Sequence, residues 1–122
     1  MTIMMKPKQA YKRGDIVLVL FPHSDLRTAK QRPALIVQAN HLQTGVAQII
    51  VSMITSRLFR ADHSSRVLIS LSTPDGKSSG LLTDSVVMTD NMATVAEGAI
   101  KRVIGILPMG KIDKALRHTL AL

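Results

Sequence analysis

"QRPALIVQAN", residues 31–40, sets four apolar residues in a row, Ala34 to Val37, directly behind an arginine and a proline. The apolar run is fit for a core, and the stretch reads as a strand over 32–38. Pro33 cannot donate to a ladder, so it belongs near a strand start or on an edge. Arg32 therefore stands at the lip of the hydrophobic centre. On the N-terminal side, "GDIVLVLF" (14–21) reads as a first strand, bounded by Gly14 and stopped by Pro22, with a polar loop over 22–31. On the C-terminal side, "VAQIIVSMI" (46–54) and "RVLISL" (66–71) read as further strands, being rich in β-branched and apolar residues.

Farther along, "STPDGKSSG" (72–80) carries a turn signal with Pro-Asp-Gly at its centre. "DSVVMTD" (84–90) predicts a short strand, residues 92–95 a short strand or turn, and residues 101–106 another strand. Ile112, Leu116 and Leu120 recur at a spacing of four, one stripe of a terminal helix within 109–122. Short strands with frequent turns and one closing helix predict a mainly β fold, a small curled antiparallel sheet or barrel. The 122 residues suit a single domain, 1–122, whose first twelve form a flexible basic arm with Lys6, Lys8 and Lys12.

Composition narrows the function classes. Sixteen Lys and Arg against eight Asp and Glu give a net charge of +8, which favours a polyanionic partner over a plain solubility charge. Only Tyr11, Phe21 and Phe59 are aromatic, which argues against a sheet that stacks several bases on rings. There is no cysteine, so neither a disulfide framework nor a thiolate metal site can form. The N-terminus "MTIMMKPKQA" lacks a long apolar core, and Ile16 to Phe21 is too short to span a bilayer, so a cytoplasmic protein with no membrane partner is expected. His23, His41, His63 and His118 fall at no helical ligand spacing, so neither a metal nor another cofactor is expected.

Two residues stand out as chemistry. Arg32 begins one apolar strand, and Thr55 ends another in "SMITS" (52–56). Strand ends gather on the rim of a curled sheet, where side chains far apart in sequence meet. A guanidinium presents a planar fork of donors to a phosphate, and a hydroxyl can donate to or accept from the same group. The plainer alternatives are a solvated strand-end charge for Arg32 and, for Thr55, a residue favouring β structure or bonding a nearby backbone group. On spacing alone these plainer alternatives are favoured for both residues.

"RGDIVLVLFP" (13–22), "QRPALIVQAN" (31–40), "VSMITS" (51–56) and "DSVV" (84–87), in this order, resemble the MazF/PemK (Kid-like) toxins of type II toxin–antitoxin systems. The resemblance implies an SH3-like barrel of the CcdB/PemK type with a C-terminal helix, and a homodimer. It implies a metal-independent endoribonuclease, an mRNA interferase cutting single-stranded RNA at a short motif. The cut would proceed by attack of the ribose 2′-hydroxyl, leaving a 2′,3′-cyclic phosphate and a 5′-hydroxyl. It further implies an acidic antitoxin C-terminal segment that blocks the RNA groove. Carried over position by position, the family's arginine is Arg32 and its threonine Thr55, with Ser56 in support. Asp90 and His23 are candidates for the base. Lys30, Gln31, Arg57, Arg60 and Asn91 are candidates for RNA contacts. The chain departs from the pattern over "MTDNMATVAEG" (88–98), which supplies no arginine, so Arg57, Arg60 or Lys101 would have to serve instead. The fold shared with CcdB keeps open a second reading, a non-enzymatic toxin that binds a protein target such as gyrase, and the missing arginine a third, a degenerate member that only binds RNA or antitoxin.

Overall fold

The computed structural model describes residues 11–22, 27 and 29–122. Most of the basic arm, and His23, lie outside these residues. Six strands, β1 (Asp15–Pro22), β2 (Ala29–Ile36), β3 (Gln48–Thr55), β4 (Arg66–Ile69), β5 (Ser85–Ala96) and β6 (Ile100–Ile106), form one sheet. Its order is β4-β5-β3-β2-β1-β6, with antiparallel neighbours throughout. A short helix α1 (Pro74–Ser78) follows β4, and α2 (Gly110–Leu120) ends the fold. The mainly β architecture with a C-terminal helix is the one expected.

The unbroken apolar run in β2 has a direct cause: both faces of the sheet are covered. Ile16, Leu35, Ile54, Ile69 and Val87 turn to one side and pack under Ile112 and Leu116 of α2. Val17, Val19, Ala34, Ile36, Ile49, Val51 and Ile100 turn to the other, where the sheet curls onto itself. Successive residues thus serve opposite cores, and a strand buried on both sides needs apolar residues at every position. Each fully buried aliphatic side chain contributes about 1.5–3 kcal/mol over an exposed one.

The register explains how Pro33 is tolerated inside a strand. β2 starts earlier than its apolar run, because Ala29, Lys30 and Gln31 continue the hairpin ladder opposite Pro22, Phe21 and Leu20. On its other side β2 pairs with β3 only from Ala34 to Ile36. Pro33 therefore sits on a stretch of β2 that is an edge towards β3, where a missing N–H breaks no ladder.

Two sequence expectations are corrected. The turn expected over 72–80 contains α1, whose start is capped by Thr73 Oγ1 accepting from the Gly76 N–H at 3.1 Å, with Pro74 in the first turn. The two segments expected at 84–90 and 92–95 are one twelve-residue strand, β5, interrupted by a bulge. Ser52 of β3 faces Met92, and the next residue, Met53, faces Met88. Thr89 in the bulge is fully buried, and its hydroxyl lies 2.6 Å from the Ser65 carbonyl and 2.7 Å from Thr119 Oγ1 of α2. The polar residues there serve a bend that bonds the helix to the sheet, so the strand reads as broken.

The connection after α1 is pinned to β6 by contact between backbones. A Cβ on Gly80 would lie 1.9 Å from the Ile104 carbonyl oxygen, and one on Gly105 would lie 2.2 Å from the backbone of Ser79. Gly80 also has φ +72°, a left-handed conformation that glycine adopts without strain. Ser78 Oγ donates to the Ile106 carbonyl at 3.1 Å and closes the seam.

Candidate functional site

The register that pairs Ala34 with Met53 would, two steps further, bring Arg32 level with Thr55. The ladder stops before that point, so β2 and β3 part and open a mouth in the sheet. An open hollow of about 510 Å³ lies there, inside the range of roughly 300–1,000 Å³ in which small-ligand sites fall. Arg32 and Thr55 both line it, together with Lys30, Gln31, Ser56 and Arg57.

The floor of the hollow is a row of side chains running across the sheet. Arg102 of β6 is level with Leu18 of β1, which is level with Pro33 of β2, and all three line the hollow beside Ile54 of β3. Arg32 and Thr55 each adjoin a residue of this row, Pro33 and Ile54, and line the hollow at its rim, where the β2–β3 ladder has ended. The opposite wall is Gly80 to Thr83, the segment that the glycine seam holds against β6. Leu82 on that wall is 97% exposed.

Electrostatics separates this hollow from the rest of the surface. Lys30, Arg32, Arg57 and Arg102 line it, and no carboxylate does among the described residues. None of these four side chains makes a hydrogen bond or ion pair with a described residue. Two arginines elsewhere are tied down: Arg13 pairs with Asp113 of α2, and Arg66 pairs with Asp90 at 2.9 Å. Like charges gathered without partners raise the local potential and favour an anion. The Thr55 hydroxyl is oriented as well, since its oxygen accepts the Arg57 backbone N–H at 3.2 Å. Its own proton is left to donate outward.

Other candidates stand elsewhere. Asp90 is exposed on β5 and does not line the hollow. The hydrogen bond from Arg66 holds its carboxyl below the usual carboxylate range, with Coulombic attraction to Arg66 and His63 adding to the effect. A carboxylate so held is a weaker base, and its placement supplies no proton acceptor at the rim. Arg60 donates to Met88 Sδ at 3.7 Å, and its guanidinium lies 5.8 Å from the Phe59 ring centroid, away from the hollow. Asn91 is exposed in the β5 bulge and does not line it either. Of the three stand-ins for the absent arginine, Arg57 reaches the hollow while Arg60 and Lys101 do not. Among the described residues no group of three His, Cys, Asp or Glu side chains is placed to hold a metal ion.

Sequence reading passed over Arg102 and the 80–83 wall. A signal for Arg102 existed: in "IKRVIGI" (100–106) it shares a face with Ile104, so a charge interrupts an apolar side of the strand.

The Arg66–Asp90 pair sets a modest expectation. Both side chains are partly exposed, so Asp90→Asn should cost under about 1 kcal/mol in a denaturant melt at neutral pH. A carboxyl whose pKa is lowered on folding adds stability above its unfolded pKa and loses it as pH falls through the folded one. The gap between wild type and Asp90→Asn should therefore close in acid.

Comparison with known proteins places this geometry. Residues 12–120 match the family profile described as PemK-like, MazF-like toxin of type II toxin–antitoxin system. No curated protein matches the chain significantly. Among solved structures, a mycobacterial endoribonuclease in complex with its cognate antitoxin superposes with TM-score 0.72 at 22% identity, over 93% of this chain and 97% of that one. A second mycobacterial endoribonuclease gives TM-score 0.68 at 26% identity, over 93% and 94% of the two chains. A MazE–MazF structure from Deinococcus radiodurans gives TM-score 0.67 at 16% identity, over 94% and 99%. No helix among the described residues is long and apolar enough to cross a membrane.

Proposed function

Because the chain belongs to the PemK-like, MazF-like toxins of type II toxin–antitoxin systems, we propose that it is an endoribonuclease that cuts single-stranded RNA at the hollow between β2, β3 and β6. The observation that carries the reading is the meeting of Arg32 and Thr55 at the rim of a hollow that, among the described residues, is lined by unpartnered cations and no carboxylate. The mycobacterial structure similar to this chain holds an endoribonuclease with its cognate antitoxin. An acidic antitoxin segment suits the same hollow by charge complementarity. The working form is a homodimer in the cytoplasm.

In this mechanism a ribose 2′-hydroxyl attacks the adjacent phosphorus and the 5′-oxygen of the next nucleotide leaves. The 2′-proton is lost and the leaving oxygen gains one, giving a 2′,3′-cyclic phosphate and a 5′-hydroxyl. Negative charge builds on the non-bridging oxygens, and Arg32 stabilises it with a fixed fork of donors. Thr55 donates its free proton to the same phosphate, its oxygen being held by the Arg57 N–H. Lys30, Gln31, Ser56 and Arg57 hold the strand on either side. The strand ends are anchored by the buried Ala34, Leu35 and Ile36 beneath them, so little freedom is lost when RNA arrives.

The test is cleavage of a synthetic RNA by the pure protein in excess chelator, with the ends of the products identified. Cyclic-phosphate ends are expected, and a single 2′-deoxynucleotide at the cut should abolish the cut there. Cleavage that needs added divalent metal, or that survives the 2′-deoxy substitution, contradicts the mechanism.

A further inference from the structure

Arg102 lies on the floor of the hollow, on β6, and the family resemblance assigns it no role. We infer that Arg102 is a second phosphate-binding residue, holding the backbone phosphate next to the scissile one and so setting which linkage reaches Arg32. The inference rests on the endoribonuclease reading and adds a separate binding role to it.

Three observations carry it. The register places Arg102 level with Leu18, and Leu18 level with Pro33, so its side chain leaves the sheet on the face that floors the hollow. It lines that hollow with Lys30 and Arg32 of β2 and Arg57 of the connection after β3, yet it comes from β6. Its guanidinium makes no hydrogen bond or ion pair with a described residue, whereas Arg13 and Arg66 are committed to Asp113 and Asp90. An exposed arginine with no partner, mounted in a basic hollow, is poised for a phosphate. Two cation groups at separate points of one hollow, floor and rim, fix a strand in register better than one, because a backbone held at two points cannot slide.

Lys101 supplies the control. It is the adjacent residue on β6, carries the same charge, is exposed, and does not line the hollow. Losing it changes the net charge as much as losing Arg102, but at the bulge where β6 shifts register against β1, outside the hollow.

The experiment uses the full chain and an RNA oligonucleotide that carries a 2′-deoxynucleotide at the mapped cut, so that binding is read without cleavage. Arg102→Ala, Arg102→Lys and Lys101→Ala are compared with wild type, with folding checked by circular dichroism. Arg102→Ala is expected to weaken binding by roughly tenfold or more, the loss for a hydrogen bond to a charged group. The slope of log affinity against log salt should fall by about 0.7, the value for one contact on a single strand. Arg102→Lys should restore most of the slope, and Lys101→Ala should match wild type. On the cleavable RNA, KM should rise with kcat nearly unchanged, the pattern of binding shared by ground and transition states. Wild-type binding and slope in Arg102→Ala, or an equal effect from Lys101→Ala, would overturn the inference while leaving the endoribonuclease reading intact. A wild-type protein that neither binds nor cuts RNA overturns both.

Discussion

Arg32→Ala should lower the single-turnover cleavage rate by about 10²–10³, the loss for one fixed donor to a developing oxyanion. The effect should fall on the rate of the chemical step, because charge on the non-bridging oxygens is greatest in the transition state. Stability should stay within about 0.5 kcal/mol of wild type, since Arg32 is exposed and makes no hydrogen bond or ion pair with a described residue. Arg32→Lys keeps the charge but loses the planar fork, so it should recover only part of the rate. A variant that melts like wild type and cuts RNA at the wild-type rate would remove Arg32 from the mechanism. The contrast with Arg102→Ala is built into the geometry: the rim residue should move kcat and the floor residue KM.

The second large effect is on the fold. Gly105→Ala sets a methyl 2.2 Å from the backbone of Ser79 and 2.5 Å from the Ser78 carbonyl oxygen. Neither neighbour is the free end of a flexible side chain, so the 78–80 segment must move away from β6. Gly80→Ala meets the Ile104 carbonyl oxygen at 1.9 Å and adds the strain of its left-handed φ. Each substitution should cost on the order of 2–4 kcal/mol, at the upper end for overpacking. For a chain of this size that lowers the melting temperature by roughly 10 °C. The two costs should not add when combined, because both open the same seam. The wall of the hollow, Gly80 to Thr83, hangs from that seam, so RNA cleavage should fall even at temperatures where the variant stays folded. Melts within 0.5 kcal/mol of wild type would show that the seam gives way more easily than its contacts suggest.

Much of the fold was legible because burial on both faces writes itself as unbroken apolar runs. The runs at 16–21 and 34–37 fall within or at the edge of β1 and β2, and Ile112 and Leu116 mark the helix face that meets the sheet. Other parts followed from pairings that no local pattern reveals. The β5 bulge places a buried Thr89 in the middle of a strand, where its hydroxyl is satisfied by Ser65 and Thr119. Read alone, Thr-Asp-Asn resembles a chain break. α1 was hidden because Pro-Asp-Gly serves a turn and a helical first turn equally well. In the site, Arg32 and Thr55 could be named from the family motif, and the register then set them across one opening. Arg102 could not be named that way. Its position depends on β6 pairing with β1, the first strand with the last, and such closure leaves no trace in neighbouring residues. Asp90 illustrates the reverse case: an acidic residue near the expected place, drawn off by Arg66 on the adjacent strand.

The claim on which the mechanism depends is that Arg32 and Thr55 act on one phosphate. A double-mutant cycle on the single-turnover cleavage rate tests it most directly, with Arg32→Ala, Thr55→Ala and the double variant assayed on the same RNA. Groups that act as a unit are strongly non-additive, so the double variant should be little slower than Arg32→Ala alone. Rate losses that multiply in full, or a Thr55→Ala protein that cuts as fast as wild type, would show that the two residues do not share a target.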